Sequence, residues 1–540
     1  MSKKLRIAIA QLNLLHGGVS ENLKKHIDSA IKARDELQAD VILFPELSLS
    51  GYPVDDLLLR KSYLDSIDDA LKEFISKVKN IYCIVGLPLR SENNLYNACV
   101  VIYNGEIILT YTKRILPNYG VFDEKRYFKE GDTHNIVLIH DIPVGIAICE
   151  DIWSEGPAEN AAKNGAKIIL SPNASPFEVN KHEQRLATLK NRIATTKIPI
   201  VYANQIGSQD EIIFDGGSMV VNETGELCQL AGFFQETLLM VEMNFSDQEI
   251  QTPKSSHYIP TEEEKIYQCL VFGVRNYMSK NHFSGALIGL SGGIDSALTL
   301  AIAVDALGKD KVKAIVMPSR YTAEMSLEDA ARLTKNLGVT QEIISIEPIF
   351  SCVLASLQNS FATCTVPITE ENIQARARGI LLMAFSNHTQ WLVLTTGNRS
   401  EMAVGYATLY GDMAGGLAVL KDIPKTMVYR LAEYRNSLEK IIPERIIERP
   451  PTAELAFNQK DENTLPPYSV LDKILELYMN EEKGAEEIIA AGFESETVRK
   501  VIKMVNQNEY KRRQSAVGIR INYTSFGRER RYPINCHFDK

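Results

Sequence analysis

Short apolar segments alternate with amphipathic segments along the first half of the chain. Seven apolar segments rich in β-branched residues end in polar clusters, which is the pattern of strands that end at a sheet edge. These segments are residues 6–13, 39–48, 82–89, 97–112, 144–151, 166–173 and 198–205. Helical spacing separates them, as in residues 20–40. The pattern predicts a layered α/β domain with mixed sheets over residues 1–245.

One of these segments contains a turn signal. Asn104-Gly105 interrupts an apolar run, with β-branched and aromatic residues on both sides. Asn-Gly readily takes the positive φ angles that a two-residue hairpin turn requires. We therefore predict that residues 97–112 form a hairpin.

The apolar pattern stops at residues 246–261 and then resumes in a second form. We interpret residues 246–261 as a linker, because they lack apolar periodicity. Strand-like segments separated by helical spacing follow at 285–290, 313–318, 341–347 and 391–396. Strands that alternate with helices favour a parallel sheet. The sequence predicts a Rossmann-like parallel-sheet domain over residues 262–540.

Composition narrows the class of protein. The chain has 540 residues, 45% hydrophobic and 24% charged, with a formal net charge of −9. It has no apolar run long enough to span a membrane, and its N-terminus does not resemble a signal peptide. The negative charge weighs against a nucleic-acid partner. The eight cysteines include no C-x-x-C pair, so we expect a reducing, cytoplasmic compartment and no membrane partner.

A glycine-rich turn joins a predicted strand to a predicted helix in the second half. The stretch reads LIGLSGGIDSAL, from Leu287 to Leu298. Glycines allow close approach of a ligand to the backbone, and the free N–H groups of a helix N-terminus attract anions such as phosphate. Asp295 would repel phosphate unless a cation bridges the two, which indicates Mg²⁺. An ordinary capped turn is the alternative interpretation.

The string SGGIDS in this turn resembles the pyrophosphate loop of the N-type ATP pyrophosphatases, which adenylate a substrate oxygen. Residues 370–387, 394–432, 451–455, 460–472 and 510–514 extend the likeness to the NAD synthetase family. This resemblance covers nearly all of residues 262–520. It implies that ATP activates the nicotinate carboxylate of deamido-NAD and that ammonia then displaces AMP.

The resemblance also implies a role for individual residues in the second half. ATP would contact Gly289, Leu290, Ser291, Gly292, Gly293, Ile294, Asp295, Ser296 and Thr396. Asp295 and Glu401 would hold Mg²⁺, and deamido-NAD would contact Asn372, Glu401, Asp422 and Lys511. Thr396 and Glu401 follow a predicted strand, where open α/β sheets place their ligands.

Three chemically interesting residues follow separate apolar segments in the first half. Glu46 follows one strand-like segment, Lys113 a second, and Cys149 ends a third. A thiol, a carboxylate and an ammonium at one sheet edge would suit nucleophilic catalysis. Taken singly, each has an ordinary explanation, since cysteine is usually a core residue and Glu or Lys after a strand is usually exposed.

The surrounding motifs FPELSLSGYP, YTKRILPNYGVFDEKRYF and GIAICEDIW resemble the nitrilase superfamily. This likeness covers about residues 4–245 and implies an α-β-β-α sandwich. By matching position, Cys149 would be the nucleophile, Glu46 the general base and Lys113 the group that stabilises the oxyanion. Tyr119, Ser175 and Lys181 match positions that bind glutamine in fused members.

Together the two resemblances imply the family of glutamine-dependent NAD synthetases. The expected substrates are deamido-NAD, ATP and L-glutamine or ammonia, with Mg²⁺ as cofactor and a homo-oligomer as the assembly. One alternative is another amidotransferase of the ATP pyrophosphatase type. A second is a nucleotide-binding sensor without catalytic activity, which would consume no ATP.

Overall fold

The chain divides into two compact units, Met1–Pro260 and Thr261–Lys540. This computed structural model describes residues 3–246, 250–360, 367–457, 459 and 461–535. Part of the predicted linker belongs to the first unit: Ile250–Gln251 pairs with residues 244–245, and Gln229 Nε2 donates to the Pro253 carbonyl oxygen at 2.7 Å. The division between the units therefore falls at the end of the predicted linker.

The first unit is built from strands and five α-helices within its described residues. The strands are β1 (Lys3–Gln11), β2 (Val41–Leu43), β3 (Tyr82–Ser91), β4 (Asn94–Tyr103), β5 (Glu106–Thr112), β6 (Ile136–Ile139), β7 (Ile142–Ile146), β8 (Ile168–Asn173), β9 (Ile200–Asn204), β10 (Ile206–Gln209), β11 (Ile212–Asp215), β12 (Met219–Val221), β13 (Leu227–Leu230), β14 (Thr237–Phe245) and β15 (Ile250–Gln251). The helices are α1 (Val19–Asp35), α2 (Lys61–Lys77), α3 (Glu150–Trp153), α4 (Pro157–Lys163) and α5 (Lys181–Thr196).

Two sheets form the centre of this unit. The first has the order β15-β14-β1-β2-β3-β4-β5 and the second β13-β12-β9-β8-β7-β6. Both are mixed, since β1 pairs parallel with β2 but antiparallel with β14, and β8 pairs parallel with β7 and β9. A separate antiparallel pair joins β10 to β11.

The alternation of side chains along the strands explains the layering. Ile7 and Ile9 of β1 pack in one core with residues of the second sheet, such as Ile168 and Leu170. Ala8 of β1 faces the opposite way, into a core that includes residues of α1 and α2. Successive strand residues point to opposite faces, so each sheet buries one face against the other sheet and one against helices. The α-β-β-α prediction is confirmed.

The predicted hairpin is present at Asn104-Gly105. β4 and β5 pair antiparallel up to Tyr103 and Glu106, so the two residues between them form the turn. Asn104 has φ +49° and Gly105 φ +95°. These positive angles match the twist of the paired strands, as Asn-Gly predicts.

The second unit combines five strands with twelve α-helices among its described residues. The strands are β16 (Ala286–Gly289), β17 (Val312–Val316), β18 (Thr340–Ile343), β19 (Leu392–Thr395) and β20 (Leu417–Ala418). The helices are α6 (Glu262–Lys280), α7 (Ile294–Leu307), α8 (Glu324–Leu337), α9 (Glu347–Leu357), α10 (Pro367–Thr389), α11 (Arg399–Val404), α12 (Lys425–Leu438), α13 (Glu444–Glu448), α14 (Tyr468–Leu475), α15 (Ala485–Ala490), α16 (Ser495–Gln507) and α17 (Glu509–Arg512). Within the described ranges, no helix is long and apolar enough to cross a membrane.

The five strands form one sheet in the order β18-β17-β16-β19-β20, and every pair is parallel. Leu287, Ile315 and Val393 of this sheet pack with Ala377 and Leu382 of α10. A second core holds α11, α14, α15 and α16 together. The predicted parallel-sheet domain is therefore confirmed, with a helical cluster added at its C-terminal end.

Candidate active sites

The first unit places the three predicted catalytic residues just beyond the ends of strands. Glu46 follows β2, Lys113 follows β5, and Cys149 lies between β7 and α3. All three are buried, with 1%, 1% and 4% of their surface exposed. The charges of Glu46 and Lys113 both act on the pKa of the Cys149 thiol. The fold therefore brings the three residues into one cluster.

Lys113 lies between two carboxylates. Its Nζ donates to Glu46 Oε1 at 2.7 Å and to the two oxygens of Glu124 at 2.9 and 3.0 Å. Burial acts to lower the pKa of Lys113, but the charges of Glu124 and Glu46 outweigh it and raise that pKa well above its usual value. The ammonium is therefore charged at neutral pH and fixed in direction.

Glu124 is a member of this cluster that the sequence analysis missed. Tyr52 Oη donates to its Oε1 at 2.8 Å, and Asn97 Nδ2 donates to its Oε2 at 3.3 Å. Burial raises the pKa of Glu124 to about 7, against the charge of Lys113. Its segment, FDEKRYF, is rich in charge and resembles a surface turn, so only its position inside the nitrilase-like motif could have indicated it.

Glu46 is held in place from two sides. Asn97 Nδ2 donates to Oε1 at 2.7 Å, and the Ala174 backbone N–H donates to Oε2 at 3.1 Å. A Cβ at Gly86 of β3 would lie 2.5 Å from the Leu47 nitrogen. The turn that carries Glu46 therefore packs directly against the backbone of Gly86. The Glu46 carboxylate is therefore held in one position.

Cys149 occupies a strained turn. Its φ is +43°, an unusual value for a residue with a side chain. Asp151 supports the turn, since its carboxylate accepts hydrogen bonds from the backbone N–H groups of Ile148 and Ile115 at 3.1 and 3.0 Å. Burial and the charge of Glu46 raise the pKa of the Cys149 thiol well above its usual value, against the opposing charge of Lys113. At rest the thiol keeps its proton.

The structure also locates the three residues predicted to bind glutamine. Tyr119 donates to Glu150 Oε2 at 2.9 Å, and Glu150 directly follows Cys149. Lys181, the first residue of α5, lies over the Trp153 ring at 5.0 Å and bonds to Glu178 at 3.1 Å. Ser175 is buried beside Arg185, which donates to its Oγ at 3.1 Å. Tyr119 and Lys181 thus contact the segment that carries the thiol, whereas the side chain of Ser175 is held by a buried arginine.

The second unit contains a cavity of about 270 Å³ at the carboxyl ends of β16, β17 and β19. The predicted phosphate loop, Gly289 to Ser296, lines it. Thr396 and Glu401 also line it. A cavity at this end of a parallel sheet is the usual place for a ligand in open α/β folds.

Gly292 is the position in this loop where only glycine fits. Its φ is +82°, and a Cβ there would lie 2.5 Å from the Ser326 carbonyl oxygen. Ser296 Oγ donates to the Gly293 carbonyl oxygen at 3.0 Å, and the Gly293 N–H donates to Ser291 Oγ at 3.2 Å. These bonds fix the turn so that α7 begins with its N-terminus at the cavity.

Asp295 and Glu401 lie on either side of Lys425, another residue that the sequence analysis missed. Lys425 Nζ bonds to Asp295 Oδ2 and lies 3.4 Å from Glu401 Oε1. Asn398 Nδ2 also donates to Asp295, at 2.9 Å. Lys425 starts a polar helix, so its sequence context is that of an ordinary surface lysine.

The pair of carboxylates fits a hard divalent cation. Burial and the charge of Asp295 raise the pKa of Glu401 to about 8, against the charge of Lys425. In the described part of the chain, no group of three or more His, Cys, Asp or Glu side chains could hold a metal alone. Mg²⁺ commonly takes one or two carboxylates and completes its shell with phosphate and water.

The three other residues predicted to bind deamido-NAD lie outside the cavity lining. Asn372 accepts a hydrogen bond from Thr408 Oγ1 at 2.8 Å, and Lys511 donates to the Gly405 and Ala407 carbonyl oxygens at 2.7 and 2.8 Å. Asp422 is buried, pairs with Arg399 and accepts the backbone N–H groups of residues 521 and 522. The segment 405–412 connects Asn372 and Lys511 to the cavity, whereas the oxygens of Asp422 already have internal partners.

Each half of the chain matches a known family model. Residues 6–249 match the carbon-nitrogen hydrolase family, and residues 266–515 match the NAD synthase family. The two matches divide the chain much as its two structural units do.

Relatives and solved structures match the whole chain. The glutamine-dependent NAD(+) synthetase of Acinetobacter baylyi is 46% identical over 535 residues, covering 98% of both chains. That of Thermotoga maritima is 44% identical and covers 99% of both chains. The structure of glutamine-dependent NAD+ synthetase from Acinetobacter baumannii in complex with ADP has a TM-score of 0.81 and 44% identity, covering 98% of both chains.

Proposed function

This chain belongs to the family of glutamine-dependent NAD(+) synthetases, and we propose that it makes NAD⁺ from deamido-NAD by ATP-dependent amidation with nitrogen from L-glutamine. The products would be NAD⁺, AMP, diphosphate and L-glutamate. The observation that carries this proposal is the 46% identity to a protein of that name over 98% of both chains. The same relationship leaves little support for another amidotransferase or for a sensor without catalytic activity.

We propose that Cys149 attacks the side-chain carbonyl carbon of glutamine. The thiol is protonated at rest, so a base must take its proton as the S–C bond forms. Glu46, whose charge acts on the pKa of Cys149, is the candidate. The oxyanion that develops would be stabilised by the Lys113 ammonium, which two carboxylates hold in place.

Collapse of that intermediate breaks the C–N bond. The proton held by Glu46 passes to the leaving nitrogen, so that ammonia departs and a γ-glutamyl thioester remains on Cys149. Glu46 then removes a proton from water, which attacks the thioester carbon. The C–S bond breaks, the thiol recovers its proton, and glutamate leaves.

The second unit would activate the acceptor. The nicotinate carboxylate of deamido-NAD attacks the α-phosphate of ATP, diphosphate leaves, and an acyl adenylate forms. Ammonia then attacks the acyl carbon, AMP leaves, and the carboxamide of NAD⁺ results. The turn from Gly289 to Ser296 would hold the phosphates with backbone N–H groups at the start of α7.

Asp295 and Glu401 are the residues that would hold Mg²⁺, which would neutralise phosphate charge when bound. The Lys425 ammonium contacts both carboxylates. Lys425 is then well placed to contact a phosphate as well.

We further propose that the enzyme is a cytoplasmic homo-oligomer. The free cysteines of the described residues suit a reducing compartment, and sedimentation of the purified chain would test the assembly.

A product balance tests this function. Purified chain supplied with deamido-NAD, ATP, Mg²⁺ and glutamine should form NAD⁺, AMP and glutamate in equal amounts. Omission of deamido-NAD should abolish AMP formation, since AMP arises only after adenylation of that substrate. A chain that forms NAD⁺ without AMP, or none of the three products, would exclude the proposal.

A further inference from the structure

Arg378 is a charged residue in the cavity wall that forms no ion pair with the described residues around it. It lies on α10, is partly buried, and lines the cavity together with the phosphate loop. Its Nε donates to the Met317 carbonyl oxygen at 3.1 Å. Across the described ranges, that is the one hydrogen bond of its side chain, and it forms no ion pair. A guanidinium has five N–H donors, so most of this group has no protein acceptor.

The two carboxylates whose charges act on the pKa of Arg378 have other hydrogen-bond partners. Glu454 accepts from Ser326 Oγ at 2.6 Å and pairs with Arg449. Asp412 Oδ1 accepts the Thr408 N–H at 2.7 Å. Burial lowers the pKa of Arg378 to about 10, although the charges of Glu454 and Asp412 oppose that change. The protein thus holds a partly buried cation in the cavity wall without an ionic partner among the described residues.

The backbone fixes Arg378 beside the phosphate loop. Leu382 lies one turn further along α10, and its Cδ1 would be 3.2 Å from a Cβ placed on Gly289. The next residue, Gly379, packs so closely that a Cβ there would lie 2.9 Å from the Tyr410 carbonyl oxygen. Helix α10 is therefore held against two segments that line the cavity, and the backbone of Arg378 is held with it.

We propose that Arg378 binds a phosphate group of a nucleotide substrate in this cavity. The planar guanidinium can donate two parallel hydrogen bonds to phosphate oxygens, which a lysine cannot do. The inference rests on the proposed function, under which two nucleotides, ATP and deamido-NAD, enter this unit. Either could supply the phosphate, so the experiment has one arm for each.

The test compares Arg378→Gln and Arg378→Lys with wild type in the full-length chain. NAD⁺ synthesis from ammonium gives the KM of ATP and of deamido-NAD separately, and calorimetry gives the affinity for ATP alone. We expect Arg378→Gln to raise the KM of one nucleotide by about 10- to 100-fold, the size expected for lost hydrogen bonds to a charged group. Arg378→Lys should recover part of that loss.

A structural role would give a different result. Ligand-induced stabilisation separates a binding role of Arg378 from a structural role, because a ligand raises the melting temperature only as far as it binds the folded chain. The nucleotide whose KM rises should stabilise Arg378→Gln less than wild type. A variant that melts lower but binds both nucleotides like wild type would overturn the proposal. If Arg378→Gln does not fold, Arg378→Lys decides, and wild-type affinity for both nucleotides would overturn the proposal.

The control is Arg499→Gln, which removes an exposed arginine of α16 that pairs with Glu486 on the surface. It should leave both KM values unchanged. Failure of the proposed function would look different, because wild type itself would then form no NAD⁺. In that case the calorimetric comparison of ATP binding still decides the role of Arg378 at an ATP phosphate.

Discussion

The two candidate sites differ in how their charges are balanced. In the first unit, the ammonium of Lys113 has a carboxylate on each side at 2.7 and 2.9 Å, and all three groups are buried. In the second unit, Lys425 is also paired, with Asp295 and Glu401. The guanidinium of Arg378, by contrast, lacks an ionic partner among the described residues, and Glu401 has a pKa raised to about 8.

This difference follows from the substrates that the proposed reaction assigns to each unit. The amide group of glutamine is small and neutral, so the site that cleaves it must supply every charge itself and hold them in advance. Nucleotides and Mg²⁺ bring charge with them, so a site for them is incomplete without its ligands. We therefore expect activity at the first site to depend most on its own side chains. We expect activity at the second site to depend most on the concentrations of ligand and metal.

The largest expected effect comes from Cys149→Ala. Loss of the nucleophile should lower glutamine-dependent NAD⁺ synthesis by about four orders of magnitude or more. Synthesis from ammonium salts should continue, because that substrate needs no thiol. Cys99→Ala, at a buried cysteine in the sandwich core, is the matched control and should keep both activities. Equal loss with both nitrogen sources, at unchanged stability, would contradict the division of labour.

Asp295→Asn should act on the second site with both nitrogen sources. Removal of one carboxylate charge should lower NAD⁺ synthesis by about 10²- to 10³-fold with glutamine and with ammonium alike. Titration with Mg²⁺ should show half-saturation at a higher concentration than in wild type. An unchanged Mg²⁺ response would count against Asp295 as a metal ligand.

Gly292→Ala should impair the phosphate loop through geometry alone. The added Cβ would meet the Ser326 carbonyl oxygen at 2.5 Å, and the positive φ adds strain. Displacement of the loop by about 1 Å should lower kcat/KM with ATP by about 100-fold. Gly308→Ala is the control, since Gly308 also has positive φ (+83°) but nothing lies within 4 Å of its added Cβ. If both variants lose activity equally, the backbone angle and not the contact is responsible.

The smallest expected effect is on pH dependence in the first unit. Glu124 has a pKa of about 7, so it is charged above that pH and neutral below it. Loss of its charge frees Lys113 from one of its partners, and glutamine-dependent activity should fall about tenfold from pH 8 to pH 6. Glu124→Gln should be less active at pH 8 but should lack this fall. A variant profile parallel to that of wild type would assign the titration to another group.

The sequence predicts most of the fold because its signals are local. The apolar segment at residues 6–13 and the Asn104-Gly105 turn each depend on a few adjacent residues, and the structure agrees with both. The pairing of β1 with β14 joins residues more than 220 positions apart, so no local pattern indicates it. The strand at Ile250–Gln251, inside the predicted linker, was missed for another reason, because two residues are too few to show an apolar pattern.

The candidate sites were predictable where a residue has a distinctive motif. Cys149 and the turn around Gly292 lie in such motifs. Glu124 and Lys425 also lie in stretches that resemble the two families, but each has the local sequence of a solvated residue and becomes significant only through burial beside opposite charges. Arg378 was missed for a related reason, since its importance lies in the absence of an ionic partner, which only the fold reveals.

Transfer of isotope tests the central claim most directly. Wild-type chain given L-glutamine labelled with ¹⁵N in its amide, together with deamido-NAD, ATP and Mg²⁺, should produce NAD⁺ whose carboxamide carries the label, with one glutamate formed for each NAD⁺. Mass spectrometry measures both products. Unlabelled NAD⁺, or labelled NAD⁺ formed equally well by Cys149→Ala, would contradict the account that the thiol of the first unit supplies the nitrogen used by the second.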